Sequence, residues 1–169
     1  MTSRIYAGTR KGLFAIDRKR SGWEVTQAAL LGDPISVLLP EPDGVVTVAQ
    51  ALGHFGVKLK RSTDAAETFD ERPVPVYPEK PDGLEDLDPM RKTPIPWDLK
   101  TIWSLESGGA DRSNELWAGT IPGGLFHSAD HGDSWQLVDS LWHHDGRKQW
   151  MGGGADYPGI HSVCVDPRD

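Results

Sequence analysis

Apolar positions in this chain alternate with polar ones in short runs, and turn residues separate the runs. Thr101–Glu106, Glu115–Gly119, Gly124–His127 and Ser134–Val138 form one such set. Alternation of this kind puts every second side chain on one face, which is the pattern of a half-buried strand. Nowhere do apolar residues recur at helical spacing over about ten residues. The chain is therefore expected to be all-β.

The runs also repeat. Tyr6-Ala7-Gly8-Thr9-Arg10-Lys11-Gly12-Leu13-Phe14 is nearly reproduced by Trp117-Ala118-Gly119-Thr120-Ile121-Pro122-Gly123-Gly124-Leu125-Phe126, with one residue inserted. Asp17 precedes Trp23 as Asp130 precedes Trp135. A weaker copy runs through Val46-Thr47-Val48-Ala49-Gln50, Gly56-Val57-Lys58-Leu59, Asp64 and Phe69. Ile35-Ser36-Val37, Trp103-Ser104-Leu105 and His161-Ser162-Val163 align as a further recurring element, with His161, Trp103 and Ile35 in register. With one insertion removed the period is about 40 residues and holds four short strands, a to d, which is the sequence form of a β-propeller blade. A β-sandwich with accidental internal similarity is the competing architecture. The expectation is one domain over 1–169, an incomplete propeller ring of about three four-stranded blades. The blades fall at 1–33, 34–97 and 98–158, followed by a lone strand at 159–166. The first unit lacks strand a, and three blades are fewer than a closed ring needs. Two readings follow. The chain is a fragment of a longer protein, or it is half of a two-fold ring closed by self-association through the terminal blades. The fragment is favoured, because worn repeats with different insertions do not look tuned for self-pairing.

Composition narrows the function classes. Lys and Arg number 18 against 25 Asp and Glu, a net charge of −7, which disfavours a nucleic-acid partner. No window approaches the length of apolar chain that a transmembrane helix needs, so no membrane partner is expected. The N-terminus has no apolar stretch of the secretory kind, which points to a cytoplasmic location. Cys164 is the single cysteine, so no intrachain disulfide can form.

Ser128-Ala129-Asp130-His131-Gly132-Asp133-Ser134-Trp135 matches the Asp-box pattern S-x-D-x-G-x-[ST]-W. Ser62-Thr63-Asp64-Ala65-Ala66-Glu67-Thr68-Phe69 is a worn copy, with Ala66 for the glycine and Phe69 for the tryptophan. The stretch from Asp17 to Trp23 is more worn still. On these residues the chain resembles the sialidase-like BNR-repeat (YVTN/BNR-like) β-propellers, of the type often labelled glycosyl hydrolase in bacteria, and looks like an N-terminal half of one. The physical reading of Ser128, Asp130, Gly132, Trp135, Asp64 and Asp17 is structural. Aspartate and serine satisfy turn backbone groups, glycine takes positive φ, and tryptophan packs back between sheets.

In such a meander the a–b and c–d turns share one face and the b–c and d–a turns the other. The Asp-boxes mark the first face, where His127 and His131 are read as surface residues. His54, Ile121-Pro122-Gly123-Gly124 and two long d–a insertions, near 73–97 and 140–159, belong to the second. Insertions of that length are functional or disordered. The first carries seven of the thirteen prolines and the acids Glu79, Asp82, Glu85, Asp86 and Asp88, and reads as a solvated acidic cover. The second mixes aromatic, histidine, carboxylate and basic residues, the mixture that binds sugars and small polar ligands. Its triple glycine, Gly152-Gly153-Gly154, permits close backbone approach. Candidate acid–base groups are His54, His143, His144, Asp145, Asp156 and His161. Candidate ligand contacts are Trp103, Trp150 and Tyr157 for stacking and Arg147 for an anion. The histidines with Asp145 show no recognised metal spacing, so neither metal nor cofactor is expected.

The resemblance implies sialidase chemistry, with three arginines on the substrate carboxylate, a tyrosine nucleophile, its glutamate and an acidic aspartate. The family's Phe/Tyr-Arg-Ile-Pro motif is absent, and Arg4-Ile5-Tyr6 lacks the proline. Arg10, Arg147, Tyr77 and Tyr157 are the residues that could stand in. Glycoside hydrolysis in general needs two carboxylates at a suitable separation, and Asp98, Asp145 and Asp156 are candidates. The expected function is binding of a glycan or other small polar ligand on the face of the d–a loops, with glycoside hydrolysis left open. The alternative is a non-catalytic propeller that binds or scaffolds other proteins.

Overall fold

The computed structural model describes residues 3–152, 155–166 and 168; Gly153 and Gly154 of the triple glycine lie outside the described residues. The chain divides into two compact units, Met1–Arg72 and Pro73–Asp169. The first holds two sheets. One comprises β1 (Arg4–Thr9), β2 (Gly12–Lys19) and β3 (Gly22–Ala29); the other β4 (Ile35–Pro40), β5 (Val46–Ala51), β6 (Val57–Ser62) and β7 (Asp70–Arg72). The second unit holds β8 (Thr101–Ser107), β9 (Leu116–Ile121), β10 (Leu125–Ser128) and β11 (Gln136–Leu137). In every sheet chain neighbours are sheet neighbours and all pairs are antiparallel. Short connections allow only this pairing. The observed sheets have three, four and four strands.

Alternation builds the cores as expected. In the first unit Leu13 of β2 and Val46 and Val48 of β5 are buried, with Tyr6, Ile35, Leu38 and Phe69 packed on them. The two sheets approach through Gly8. A Cβ there would sit 2.8 Å from Ile35 and 2.9 Å from Leu38, so only glycine lets β1 lie this close to β4. In the second unit Ile102, Leu105, Leu116, Ala118 and Phe126 fill the inner face.

Two Asp-box turns close the last hairpins of the four-stranded sheets with matching hydrogen bonds. Ser128 Oγ donates to Asp130 Oδ1 (2.8 Å) and accepts from Gly132 N (2.8 Å), while Asp130 accepts from Ser134 N (2.8 Å) and Ser134 Oγ (2.6 Å). Ser62, Asp64, Ala66 and Thr68 repeat the arrangement at 2.7, 2.9, 2.9 and 2.6 Å. Each turn needs two successive residues in the left-handed region, His131 (φ 57°) with Gly132 (84°) and Ala65 (59°) with Ala66 (73°). The worn copy keeps the turn although both of its residues carry a Cβ.

Asp17 departs from the expectation. It lies within β2, paired with Arg4 of β1. Its carboxylate accepts from Arg4 Nε (2.7 Å), Arg4 Nη2 (2.9 Å) and Thr26 Oγ1 (2.7 Å). The guanidinium holds that carboxyl well below its usual range, with the Thr26 hydroxyl next in effect. The β2–β3 hairpin turns within Arg20–Ser21, so there is no room for the eight-residue box, and Trp23 stays 49% exposed.

Two further differences bear on the site. Both β4 and β8 carry a bulge, between Ile35 and Val37 and between Ile102 and Ser104. The unpaired residue is Ser36 in one and Trp103 in the other, so Trp103 corresponds to Ser36 and not to Ile35. A bulge re-aims the extra side chain, and sequence alignment slips by one there. Residues 159–166 form no strand. Ile160 N donates to Thr120 O (3.1 Å) and Ile160 O accepts from Ser104 Oγ (3.1 Å), but a strand needs a ladder along its length, and the described residues supply none. Residues 73–97 cluster with the third sheet rather than with the second.

Ala65→Gly is expected to stabilise the first unit by about 0.5–1 kcal/mol, because relief of the left-handed Cβ penalty outweighs the added chain entropy; urea unfolding measures it. The hydroxyl of Thr68 and that of Ser134 lead in holding the carboxyls of Asp64 and Asp130 down to about 2. A depressed folded-state value means that the stabilisation is complete above the ordinary carboxylate range near pH ~4 and is lost as pH falls toward ~2. Side-chain carboxyl NMR is expected to place both midpoints near ~2, and a midpoint at ~4 for either would contradict the turn geometry.

Candidate functional site

The two insertions meet within the second unit on a buried ion pair. Arg147 and Asp86 are 6% and 7% exposed, with Nη2 and Oδ2 2.9 Å apart. Arg147 Nε donates to Trp142 O (2.6 Å), and its guanidinium lies 3.9 Å over the Trp142 ring. Asp86 Oδ2 also accepts from Trp97 Nε1 (2.9 Å). Trp142 is 2% exposed and stands against Tyr77 and Trp97 at centroid distances of 5.0 and 5.1 Å. The proline-rich segment thus cannot be a solvated acidic cover throughout. Asp86 and Asp88 are both buried. Asp88 staples its loop by accepting from Arg91 N (2.7 Å) and Met90 N (2.9 Å), bonds to backbone N–H groups that hold its carboxyl below the usual range.

The second insertion begins as α1 (Asp139–Trp142), followed by a 3₁₀ turn at Asp145–Gln149. His144 caps that turn, its Nδ1 accepting from Gly146 N (3.0 Å). Asp145 is exposed and pairs with Lys148 at 3.2 Å. Asp156 is 92% exposed and lies 3.5 Å from Arg91.

Two cavities flank the insertion. One, of about 490 Å³, is lined by Leu84, Asp86, Trp97, Trp142, His143 and Arg147 among others. The other, of about 560 Å³, is lined by Trp103, Gln149, Trp150, Met151, Pro158, Gly159 and His161. Its walls are set by close packing. Gly159 lies against Trp103, where a Cβ would come within 2.7 Å of the ring, and Gly123 lies against Trp150. The rings of Trp103 and His161 meet edge to face, 5.9 Å apart at 76°.

The candidates from sequence therefore divide. Trp103, Trp150 and His161 share the second cavity; His143 and Arg147 belong to the first. His144, Asp145, Asp156 and Tyr157 line neither of these two. His54 is in the first unit, exposed on the Gly53–Phe55 turn beside Phe55. Tyr77 is 7% exposed. Its hydroxyl donates to Pro122 O (2.5 Å) and touches Thr120 Oγ1, and burial raises its pKa above the usual value; it sits in the core. Trp97, Trp142 and Asp86 were not singled out by sequence as site residues. Prolines around Asp86 and Trp97 mask any period there, and only the packing of all three residues on one another marks them. Among the described residues no three His, Cys, Asp or Glu side chains converge as metal ligands.

Tyr77→Phe is expected to cost about 0.5–1.5 kcal/mol, the net value of a hydrogen bond whose acceptor, Pro122 O, keeps Gly124 N and Thr120 Oγ1, as measured by thermal or urea unfolding.

No protein-family model matches the chain, and no curated protein matches it. Among solved structures, a GH74 xyloglucanase from Xanthomonas campestris aligns over 81% of this chain and 19% of its own, at 18% identity and a TM-score of 0.51. YCF48 bound to a D1 peptide aligns over 80% and 36%, at 15% identity and a TM-score of 0.46. The chain thus spans well under half the length of either. Both are β-propellers. The consecutive meander sheets and the xyloglucanase match together identify this chain as an all-β protein of β-propeller type.

Proposed function

We propose that this chain binds a neutral or weakly polar sugar in the cavity of Trp103, Trp150 and His161. The observation that carries the reading is the meeting of two half-buried tryptophans and an exposed histidine in one cavity. Its volume of about 560 Å³ lies within the range of about 300–1,000 Å³ usual for small-ligand sites. Pyranose rings present apolar C–H faces that stack on indole, while Gln149 and His161 offer hydrogen bonds to hydroxyls. Binding is favoured over hydrolysis. No carboxylate lines this cavity among the described residues, whereas glycoside hydrolysis takes two flanking the scissile bond. The sialidase-type variant of the reading is weaker still, since Tyr77 is committed to the core.

The test is calorimetric titration with cello-, xyloglucan- and sialyl-oligosaccharides, alongside an assay for released reducing ends. A saturable neutral glucan without turnover is the expected result. Trp150→Ala is expected to weaken it tenfold or more, roughly what loss of a stacked aromatic costs, and His161→Ala less. Equal affinity in Trp150→Ala, or no binding by any sugar, would sink the proposal.

A further inference from the structure

We infer that the other cavity of the second unit, under Arg147, binds a small aromatic carboxylate, independently of the sugar reading. The cavity of about 490 Å³ has an apolar floor of Leu87, Pro89 and Trp97, with Leu84, 44% exposed, at its mouth. Its one deeply buried cation is Arg147, which is 6% exposed and fixed by three contacts: Asp86, the Trp142 carbonyl and the Trp142 ring. Those contacts use Nε and Nη2. Neither of these two hydrogen bonds engages Nη1. A guanidinium held in this way is pre-organised, so an incoming carboxylate meets donors already aimed and loses little to side-chain ordering.

The rim adds charge of the same sign. Lys92 and Lys148 line the opening, and the contact of Lys148 with Asp145 is an exposed one, 70% and 94% solvated, that an anion can outcompete. Two carboxylates also line the cavity, Glu85 and Asp86. Asp86 is occupied by Arg147 and Trp97, and Glu85 is exposed. The lining carries three cations and two anions, and Asp145 on Lys148 brings the opening close to charge balance in a chain of net charge −7, so the anion contact rests on Arg147 and the displaceable Lys148 pair. A ligand with a flat apolar body for Trp97 and Leu84 and one carboxylate for Arg147 matches both halves of the lining. A neutral sugar would leave the apolar floor poorly covered, and a phosphate without an apolar body would leave it uncovered.

The probes are 2-naphthoate and its neutral counterpart 2-naphthalenemethanol, titrated into the 169-residue chain by calorimetry and Trp fluorescence. We expect saturable one-to-one binding of the naphthoate, at least tenfold tighter than the alcohol. Arg147→Ala strips Asp86 of its partner and risks the fold, so exposed rim residues serve instead. Lys92→Ala with Lys148→Ala is expected to weaken naphthoate about tenfold, roughly threefold for each exposed charge, and to leave the alcohol unchanged. Leu84→Glu, which places a carboxylate at the mouth, is expected to abolish naphthoate binding while the circular dichroism spectrum is retained. Binding of both probes with equal affinity, no saturation by naphthoate, or naphthoate binding untouched in the rim variants would each overturn the inference.

Discussion

The contact on which the second unit depends is the stack of Arg147 on Trp142, closed by Asp86. Residues 86 and 147 are brought to 2.9 Å from two different insertions, of which the first is held locally by the single antiparallel bridge Leu87–Pro94. Breaking a buried ion pair by removing one partner costs about 3–5 kcal/mol, more than a surface loop could recover elsewhere. The pair therefore fixes where both insertions run. It also fixes Trp97, which donates to the same carboxylate oxygen, and Trp142, whose carbonyl and ring both face the guanidinium. The two cavities lie on either side of this anchor because the chain leaves it in two directions: back through the prolines toward Pro81, and forward through the 3₁₀ turn toward Trp150.

The sheets provide the platform, and the insertions together with β8 line the two cavities. Each four-stranded sheet ends in an Asp-box turn whose hydroxyl–carboxylate bonds satisfy local backbone groups and leave nothing to spare for a ligand. The carboxyls of Asp64 and Asp130 are lowered to about 2 by those bonds, a shift of structural origin. Perturbed carboxyls often mark reactive sites, but here the perturbing groups are the turn itself. The residues with free chemistry are instead Trp103, set on the β8 bulge, Trp150 and His161, which face open space. A regular strand would have kept Trp103 within the alternation of β8, and the bulge releases it from pairing.

Much of the fold was legible in the sequence. Strand positions in the third sheet, the meander order and two Asp-box turns follow from local rules: alternation selects strands, and short turn-rich gaps force antiparallel neighbours. The same rules account for the failures. Asp17 precedes Trp23 by six residues where Asp130 precedes Trp135 by five, its hairpin is too short, and Arg4 across the ladder takes its carboxylate. Residues 159–166 have the composition of a strand, yet a strand exists only where a partner offers its backbone.

For the site, the sequence by itself singles out one segment as the candidate. The mixture of tryptophan, histidine and arginine near 140–161 is unlike anything else in the chain, and a stretch of that length without period is read by composition alone. Only the tertiary structure decided how those residues divide. Arg147 reads as a surface anion hook in one dimension and is a buried anchor in three, because its partner Asp86 lies 61 residues away. His143 falls to one cavity and His161 to the other, and Asp145 and Asp156 remain in solvent. Long-range partners are set by packing, and packing leaves no periodic trace in the sequence of a proline-rich loop.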